Sequence, residues 1–356
     1  MLTIVSTIVV LGMLVFFHEL GHFAVAKAVG IKVYEFSMGF GPKLFGFRSG
    51  ETVYNVRVFP LGGFVRMAGM DQKEDDAEAA ADSHQGESEL DPERGFAAKT
   101  IPKRMAVIAA GPIMNFILAA LLISVIFMTN GIPEMSTRIG EVLKGEPAAV
   151  AGLKAGDKIV SVNSMPVSNW EDVVKLIHQS PEKSLQFTVD RAGQQVVVQV
   201  LPKKEPSSGA GFIGIKPAEP QMVHKGVLAS LGLGAVYTVK VTGMIASFVG
   251  QMLTREMPAE QLGGPVRITM EIGKAAKSGL LNLVQLAAIL SINLGLFNLF
   301  PIPALDGSRL LFLLWEALRG KPVDPAKENL VHLVGFGLLL LLMVFVTFND
   351  INQLIK

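Results

Sequence analysis

The residues with the clearest chemical meaning lie near the N-terminus, in the stretch His18-Glu19-Leu20-Gly21-His22. If this stretch is helical, the two histidines share one face, because residues four apart are neighbours on a helix. Two imidazoles so placed can bind one zinc ion, and the glutamate between them can act as a general base toward water. The structural alternative is that these side chains only make contacts between packed helices.

A catalytic zinc site usually has three protein ligands and one open position, so a third ligand is needed. The chain has no cysteine, and the ligand must therefore be His, Asp or Glu. Asp306 is the strong candidate, because it ends an apolar run in which Pro301 and Pro303 should break a helix. The alternative for Asp306 is the N-cap of a helix over residues 308–318.

The composition places these residues in a membrane protein. Half of the 356 residues are apolar and 18% are charged, and the mean hydropathy is +0.44, which excludes an ordinary soluble enzyme. A bilayer crossing needs about 20 apolar residues. We predict transmembrane helices at 1–29, 105–133, 278–305 and 329–356. Ionisable residues inside such a segment are costly, so the histidines and the glutamate in the first one indicate function.

The distribution of lysine and arginine predicts how the chain crosses the membrane. These residues are concentrated in the connections 30–104 and 306–328, and such an excess is typical of cytoplasmic loops. Both termini and residues 134–277 are therefore predicted to be extracytoplasmic. A further apolar stretch, 226–253, is predicted to be an amphipathic helix, because another crossing would carry Asp306 to the wrong side. The formal net charge of +1 argues against nucleic acid as a partner.

A membrane-associated β-element is predicted directly after the first helix. Residues 36–69 are glycine-rich and alternate apolar with polar residues, and Ser49-Gly50-Glu51 is a plausible turn between two strands. An edge strand in residues 53–67 could hold a substrate segment extended, and proline substitutions along Val53–Val58 should then impair cleavage while zinc stays bound. The acidic residues 71–94 predict a solvated loop to which we assign no chemistry.

Residues 134–205 are predicted to form a small extracytoplasmic α+β domain, followed by a linker at 206–277. The pattern gives strands at Arg138–Leu143 and Lys158–Asn163, a helix starting at the capping box Ser168-x-x-Glu171, and two strands around an Arg191-Ala192-Gly193 turn. This order, with a Gly156-Asp157 turn, resembles a circularly permuted PDZ domain of the bacterial protease type. PDZ domains bind extended peptides at an open sheet edge.

Four motifs are spread over nearly the whole chain. They are FHELGH in the first span, GFGP at Gly39–Pro42, AGPIMNF at Ala110–Phe116 and NLFPIPALDG at Asn298–Gly307. In combination they resemble the site-2 protease family, in its bacterial RseP/RasP branch of zinc intramembrane metalloproteases. Two features depart from the family pattern: one PDZ-like domain where several members have two, and Ser308 after LDG where another glycine is common.

The resemblance implies a mainly α-helical polytopic membrane protein with four transmembrane helices, a membrane-associated β-element and an α+β PDZ domain. It assigns Glu19 to catalysis. It assigns His18, His22 and Asp306 to the binding of Zn²⁺, and Asn293 and Asn298 to the binding of substrate. The alternative for these asparagines, and for Asn115 in the second span, is hydrogen bonding between membrane helices. The resemblance further implies a multi-pass protein of the bacterial cytoplasmic (inner) membrane.

The expected activity is zinc-dependent cleavage of transmembrane segments in single-span proteins within the lipid bilayer. The resemblance suggests anti-sigma factors or remnant signal peptides, cut after a first protease has trimmed the outer part, with the PDZ domain excluding bulky outer domains. One alternative is a catalytically idle membrane adaptor or chaperone that works through its PDZ domain. Another is a membrane-anchored peptidase for soluble peptides, which the placement of HExxH inside an apolar span disfavours.

Overall fold

The computed structural model describes residues 1–70, 92–206, 209–254 and 264–355. Its helices are α1 (Leu2–Ala28), α2 (Ile101–Asn130), α3 (Pro147–Ala151), α4 (Trp170–His178), α5 (Val227–Leu253), α6 (Pro265–Ser278), α7 (Leu280–Asn298), α8 (Asp306–Arg319) and α9 (Pro325–Ile355). Most of the acidic loop predicted at 71–94 lies outside the described residues.

The strands are short except for the first two. They are β1 (Val33–Ser49), β2 (Thr52–Met67), β3 (Ile132–Glu134), β4 (Ile139–Val142), β5 (Lys158–Val162), β6 (Met165–Pro166), β7 (Leu185–Arg191), β8 (Gln194–Val200), β9 (Lys203–Lys204), β10 (Gly211–Phe212), β11 (Ile215–Pro217) and β12 (Gln221–Val223). The chain divides into two compact units, one made of residues 1–126 and 228–356 and the other of residues 127–227.

The first unit contains the helices that could cross a membrane. By length and composition α1, α2, α5, α7 and α9 all qualify, so the described residues hold five candidate spans where the sequence analysis counted four. The additional one is α5, which was expected to be amphipathic. Its exposed side chains include Leu228, Val236 and Val239, whereas Ser230 and Thr238 are buried. An outer surface of this kind suits lipid, and it explains why α5 qualifies despite Lys240.

The helices around the HExxH stretch have a defined direction. On α2, Val107 lies beside His22 and Leu118 packs with Leu14, so α2 runs antiparallel to α1. Ala287 of α7 packs in the same cluster as Leu14, and the residues after α7 reach His18. α7 therefore runs in the same direction as α1, as the sequence analysis required for a meeting of His18 with Asp306.

β1 and β2 form the predicted hairpin, with Gly50 at φ +61° in the turn. The hairpin curls so that β1 pairs with β2 more than once. Residues 35–38 of β1 pair with residues 53–56 of β2 on one side and with residues 63–66 on the other. Residues 43–48 of β1 pair with the remaining side of residues 53–57. Within the predicted edge region 53–67, an outer edge therefore lies at residues 62–65, and only its placement at Val53–Val58 is wrong, because residues 53–56 are paired on both sides. In the described part of the chain, no further strand pairs along the outer side of residues 62–65.

Aromatic side chains attach this β-element to α1. The ring of Phe36 lies 5.7 Å from that of Phe16 and 5.3 Å from that of Phe23. The far end of the hairpin carries large apolar side chains that are exposed, namely Phe40, Leu44, Phe45, Phe47 and Phe59. Such a surface is unusual in water, and it supports the prediction that the β-element contacts the membrane.

The second unit has the strand and helix order that the sequence predicted. Its largest sheet has the order β6-β5-β7-β8, and α4 packs with this sheet through a buried core that includes Trp170, Ile177 and Phe187. One detail differs. The N-cap of α4 is Asn169, whose side chain accepts a hydrogen bond from the Asp172 backbone N–H, so the predicted capping box begins one residue too early.

The ion pair between Asp157 and Arg191 gives this unit a pH-dependent stability. Asp157 is 1% exposed, and the hydrogen bonds from Arg191 and from the Lys154 backbone N–H lower the pKa of its carboxyl group. A lowered folded-state pKa stabilises the fold above the unfolded-state value of about 3.9, and this contribution is lost as the pH falls through the folded-state value.

We therefore expect Asp157→Asn to lower the free energy of unfolding of this unit by about 1–3 kcal/mol near neutral pH. The difference from the wild type should shrink below about pH 4. Urea unfolding of the full chain at several pH values measures the free energy of unfolding and its dependence on pH. The signal is the fluorescence of the buried Trp170 in a Trp315→Phe background. Glu141→Gln breaks an exposed ion pair with Lys216 and should cost about 0.5 kcal/mol or less; equal costs for the two variants would contradict the assignment.

Candidate functional site

The structure brings His18, His22 and Asp306 together inside the membrane-helix unit. Nε2 of His18 lies 3.1 Å from Oδ2 of Asp306, and Nε2 of His22 lies 3.3 Å from the same oxygen. The two Nε2 atoms are 3.3 Å apart. The three atoms therefore form a nearly equilateral triangle, with two corners on one face of α1 and the third at the first residue of α8.

The triangle has nearly the size that a tetrahedral zinc site requires. Bonds of about 2.0–2.1 Å to zinc separate the ligand atoms of a tetrahedron by about 3.3–3.4 Å, compared with 3.1–3.3 Å here. Oδ2 of Asp306 is buried, and none of the described residues donates a well-directed hydrogen bond to it, although both Nε2 atoms are close. A cation at the centre would compensate this burial, since a buried charge needs a partner. The three residues thus fit one zinc ion.

A break in the helical chain allows Asp306 to reach the histidines. α7 ends at Asn298, and the chain stays non-helical until α8 begins, as Pro301 and Pro303 predict. The N-cap residue of α8 is Leu305, and no side-chain cap is formed there. The alternative assignment of Asp306 as an N-cap is therefore wrong, and its carboxylate faces the two imidazoles instead.

The last helix supports this break. Ala304 has φ +71°, a conformation that non-glycine residues rarely adopt, and its N–H donates a hydrogen bond to Nδ1 of His332 on α9 at 3.1 Å. Gly335 approaches the same segment so closely that a Cβ there would lie 2.1 Å from Cβ of Pro303. These contacts fix the backbone just before Asp306.

A two-point ion pair connects α8 with the start of α2. Nη2 of Arg104 lies 2.6 Å from Oε1 of Glu316, and Nη1 lies 3.1 Å from Oε2. Both side chains are largely shielded from solvent. Because two parallel hydrogen bonds between planar groups restrict orientation as well as distance, this pair limits how α8 can move relative to α2.

One face of α2 surrounds the two imidazoles. Nδ1 of His22 lies 2.9 Å from the carbonyl oxygen of Val107, so Nδ1 carries the proton and Nε2 keeps its lone pair for a metal. One turn further on, a Cβ at Gly111 would lie 2.2 Å from Nε2 of His22, so this position leaves room only for glycine. After another turn, the amide of Asn115 lies 3.1 Å from Nδ1 of His18.

Glu19 lies between the triangle and the β-element. Its carboxylate is close enough to all three residues of the triangle to interact with them electrostatically. On the other side, a Cβ at Gly63 would lie 3.1 Å from Cγ of Glu19. The outer segment of the β-element, residues 62–65, is therefore next to a carboxylate that could accept a proton from water beside a metal held by the triangle.

The structure does not bring the two predicted substrate asparagines into the triangle. Both lie half-buried on α7, and Asn298 donates a hydrogen bond from Nδ2 to the carbonyl oxygen of Leu294 in its own helix at 2.9 Å. Within the described part of the chain, neither Asn293 nor Asn298 hydrogen-bonds to a residue of the triangle. A contact with substrate stays a prediction for both.

Sequence reasoning missed the residues on α2 and in the β-element that border the site. Val107, Gly111 and Asn115 follow one another at intervals of four, which places them on one helix face. This spacing could have been found from the sequence, and Asn115 was noted only for hydrogen bonding between helices. Val107 takes part through its backbone carbonyl, and Gly63 lies close to Glu19 because it has no side chain. The residue types at these two positions therefore did not indicate a role in the site.

Comparison with known proteins gives consistent matches. The protein-family model described as "Peptidase family M50" matches residues 6–342 of this chain. The chain is 39% identical to "Zinc metalloprotease RasP" of Geobacillus kaustophilus, over 99% of this chain and 98% of that protein. It is 37% identical to "Regulator of sigma-W protease RasP" of Bacillus subtilis, over 99% of each. Among solved structures, the PDZ domain of the SdrC-like protein of Listeria innocua matches 25% of this chain and 99% of its own, with 18% identity and a TM-score of 0.22.

The close fit of Gly111 against His22 predicts the effect of one added methyl group. Gly111→Ala should improve helix propensity by about 1 kcal/mol, yet it should weaken metal binding at least about tenfold, because the new Cβ occupies the space of Nε2. Metal content and affinity of the purified protein measure this effect. Gly243→Ala on α5, where a Cβ meets nothing within 4 Å, is the matched control, and a similar change in both variants would refute the assignment.

Proposed function

Because the chain belongs to peptidase family M50, we propose that it is a zinc-dependent endopeptidase that cleaves the transmembrane segments of single-span membrane proteins. One observation carries this proposal. His18, His22 and Asp306 meet in a triangle of metal-site size with Glu19 beside it, and α1, which carries both histidines and Glu19, is apolar enough to cross a membrane. Peptide hydrolysis at this position would act on substrate segments that are themselves in the bilayer.

His18 and His22 would hold zinc through Nε2, and Asp306 would hold it through Oδ2. When bound, zinc supplies a Lewis acid that polarises the scissile carbonyl and lowers the pKa of a coordinated water toward 7. The zinc assignment is supported by the donor set and by the names of the relatives, which are zinc metalloproteases.

Glu19 would act as the general base. Its carboxylate accepts the proton of the attacking water and then transfers this proton to the nitrogen of the leaving amine. Asn298, and with it Asn293, would hydrogen-bond to the substrate backbone or to the developing oxyanion. For Asn298 this requires that its side chain leaves the carbonyl oxygen of Leu294, to which it now donates.

A helical substrate must become extended before it can be cleaved, because its scissile carbonyl is otherwise bonded within the helix. The outer side of residues 62–65 is suited to receive the extended chain, since strand addition provides main-chain hydrogen bonds. The proximity of Gly63 to Glu19 supports this segment over Val53–Val58, which is enclosed on both sides. The added strand would then pass beside the catalytic base.

We place the protein in the bacterial cytoplasmic membrane with four crossings, α1, α2, α7 and α9, so that both termini and the PDZ-like unit lie outside. The concentration of lysine and arginine in the 30–104 and 306–328 connections supports this orientation. One relative is named as a regulator of sigma-W protease. Membrane-bound anti-sigma factors, trimmed by an earlier protease, are therefore the proposed substrate class, with remnant signal peptides as another, and the PDZ-like unit would exclude untrimmed substrates.

Replacement of the base tests the proposed function directly. Glu19→Gln should lower the cleavage of a single-span reporter in detergent at least about 100-fold, while zinc content stays at the wild-type level. Glu271→Gln, in an exposed ion pair on α6, should retain activity. The absence of product with the wild type and several trimmed reporters would favour the adaptor alternative, and equal cleavage of a soluble peptide would favour an anchored peptidase.

Proline substitution tests the proposed substrate edge. Proline lacks the N–H that a sheet edge offers to an added strand, so Phe64→Pro or Val65→Pro should reduce reporter cleavage at least about tenfold with zinc still bound. Leu44→Pro and Phe45→Pro, in the exposed far end of the same hairpin, are the matched controls. Normal turnover of both Phe64→Pro and Val65→Pro would refute the use of this edge.

A further inference from the structure

The two histidines of the triangle differ in what holds their second nitrogen. For His22, the partner of Nδ1 is the carbonyl oxygen of Val107, which can only accept a hydrogen bond. For His18, the partner of Nδ1 is the side-chain amide of Asn115 at 3.1 Å, and this amide has one accepting and one donating end. The role of the His18 ring therefore depends on which end of Asn115 faces it.

Metal binding by His18 permits only one of the two orientations. A neutral imidazole has one N–H, so when Nε2 gives its lone pair to a metal, Nδ1 must carry the proton and donate it. In the structure, Nδ2 of Asn115 faces Nδ1, while Oδ1 is buried and has no hydrogen-bond partner among the described residues. A rotation of the amide by 180° turns Oδ1 toward Nδ1–H, so that the buried oxygen gains a donor and two donors no longer face each other.

We propose that Asn115 is the positioning residue of His18: its Oδ1 accepts the Nδ1–H hydrogen bond and thereby holds Nε2 toward the metal. This inference rests on the proposed function of the triangle as a zinc site. It makes α2 the source of both outer partners, with the Val107 carbonyl for His22 and the Asn115 amide for His18. Such partners fix the tautomer and the ring direction of a metal ligand.

The surroundings of Asn115 hold it where this role requires. The residue is 0% exposed, and its backbone carbonyl oxygen accepts a hydrogen bond from Oγ of Ser291 on α7 at 2.8 Å. It lies one turn after Gly111, on the face of α2 that closely approaches α1. A buried asparagine that served only to join helices would leave the unpaired Oδ1 unexplained.

Two substitutions of opposite chemistry test the inference. Asn115→Leu keeps the branching at Cγ but removes the acceptor, whereas Asn115→Asp has two accepting oxygens and cannot use an N–H. We expect the leucine variant to bind zinc about 10–100-fold more weakly than the wild type, and the aspartate variant to retain affinity within about threefold. The readouts are zinc affinity by chelator competition and the visible absorption of Co²⁺ in place of zinc, which reports coordination geometry.

Ser291→Ala is the control for packing, because it removes the neighbouring hydrogen bond between helices without touching His18. It should lower thermal stability while zinc affinity and the Co²⁺ spectrum stay unchanged. Wild-type zinc affinity in Asn115→Leu would overturn the inference, as would equal losses in the leucine and aspartate variants. Zinc binding by the wild type without cleavage of any reporter would instead count against the proposed function, so the two failures can be distinguished.

Discussion

The structure depends on one electrostatic constraint: a carboxylate and two imidazoles must meet within an apolar layer. The carboxylate alone would be costly there, because it would be a buried charge without a partner, and each neutral imidazole would leave a polar nitrogen without a hydrogen bond. The chain meets this constraint with segments far apart in sequence. α1 provides the two imidazoles one helical turn apart, and α7 runs parallel to it, so that the chain break after Asn298 arrives at the same depth with Asp306.

The remaining elements around the site restrict the geometry of this meeting. α2 lies against α1 and presents the Val107 carbonyl, Gly111 and Asn115 in successive turns. These three positions leave the imidazole rings of His18 and His22 little freedom to rotate. α9 holds the segment before Asp306 through His332, and Arg104 ties the following helix to α2. A site assembled in this way is preorganised, because the rings and the carboxylate are directed by neighbours that do not themselves bind a metal.

The sequence predicted the residues of the triangle because their types carry the signal. HExxH gives the spacing on α1, the prolines give the break before Asp306, and the absence of cysteine narrows the ligand types. The enclosed position of Val53–Val58 could not be predicted, since it depends on how the hairpin curls and pairs with itself twice. The contact of Val107 with His22 could not be predicted either, because every residue type has the same backbone carbonyl group. The N-cap of α4 was missed by one residue, as serine and asparagine are similarly good caps.

The outer side of residues 62–65, along which no other described strand pairs, has a thermodynamic consequence. Main-chain groups that lie beside a membrane helix have little water to bond with, and each unsatisfied one costs several kcal/mol in hydrocarbon. A substrate helix that unwound at the proposed edge would lose its internal hydrogen bonds but would gain those of the strand. Unwinding would then be an exchange of bonding partners with a small net cost, whereas the same event elsewhere in the bilayer would have no compensation. The selectivity for where a helix opens would thus lie in the enzyme surface, even for substrates of unrelated sequence.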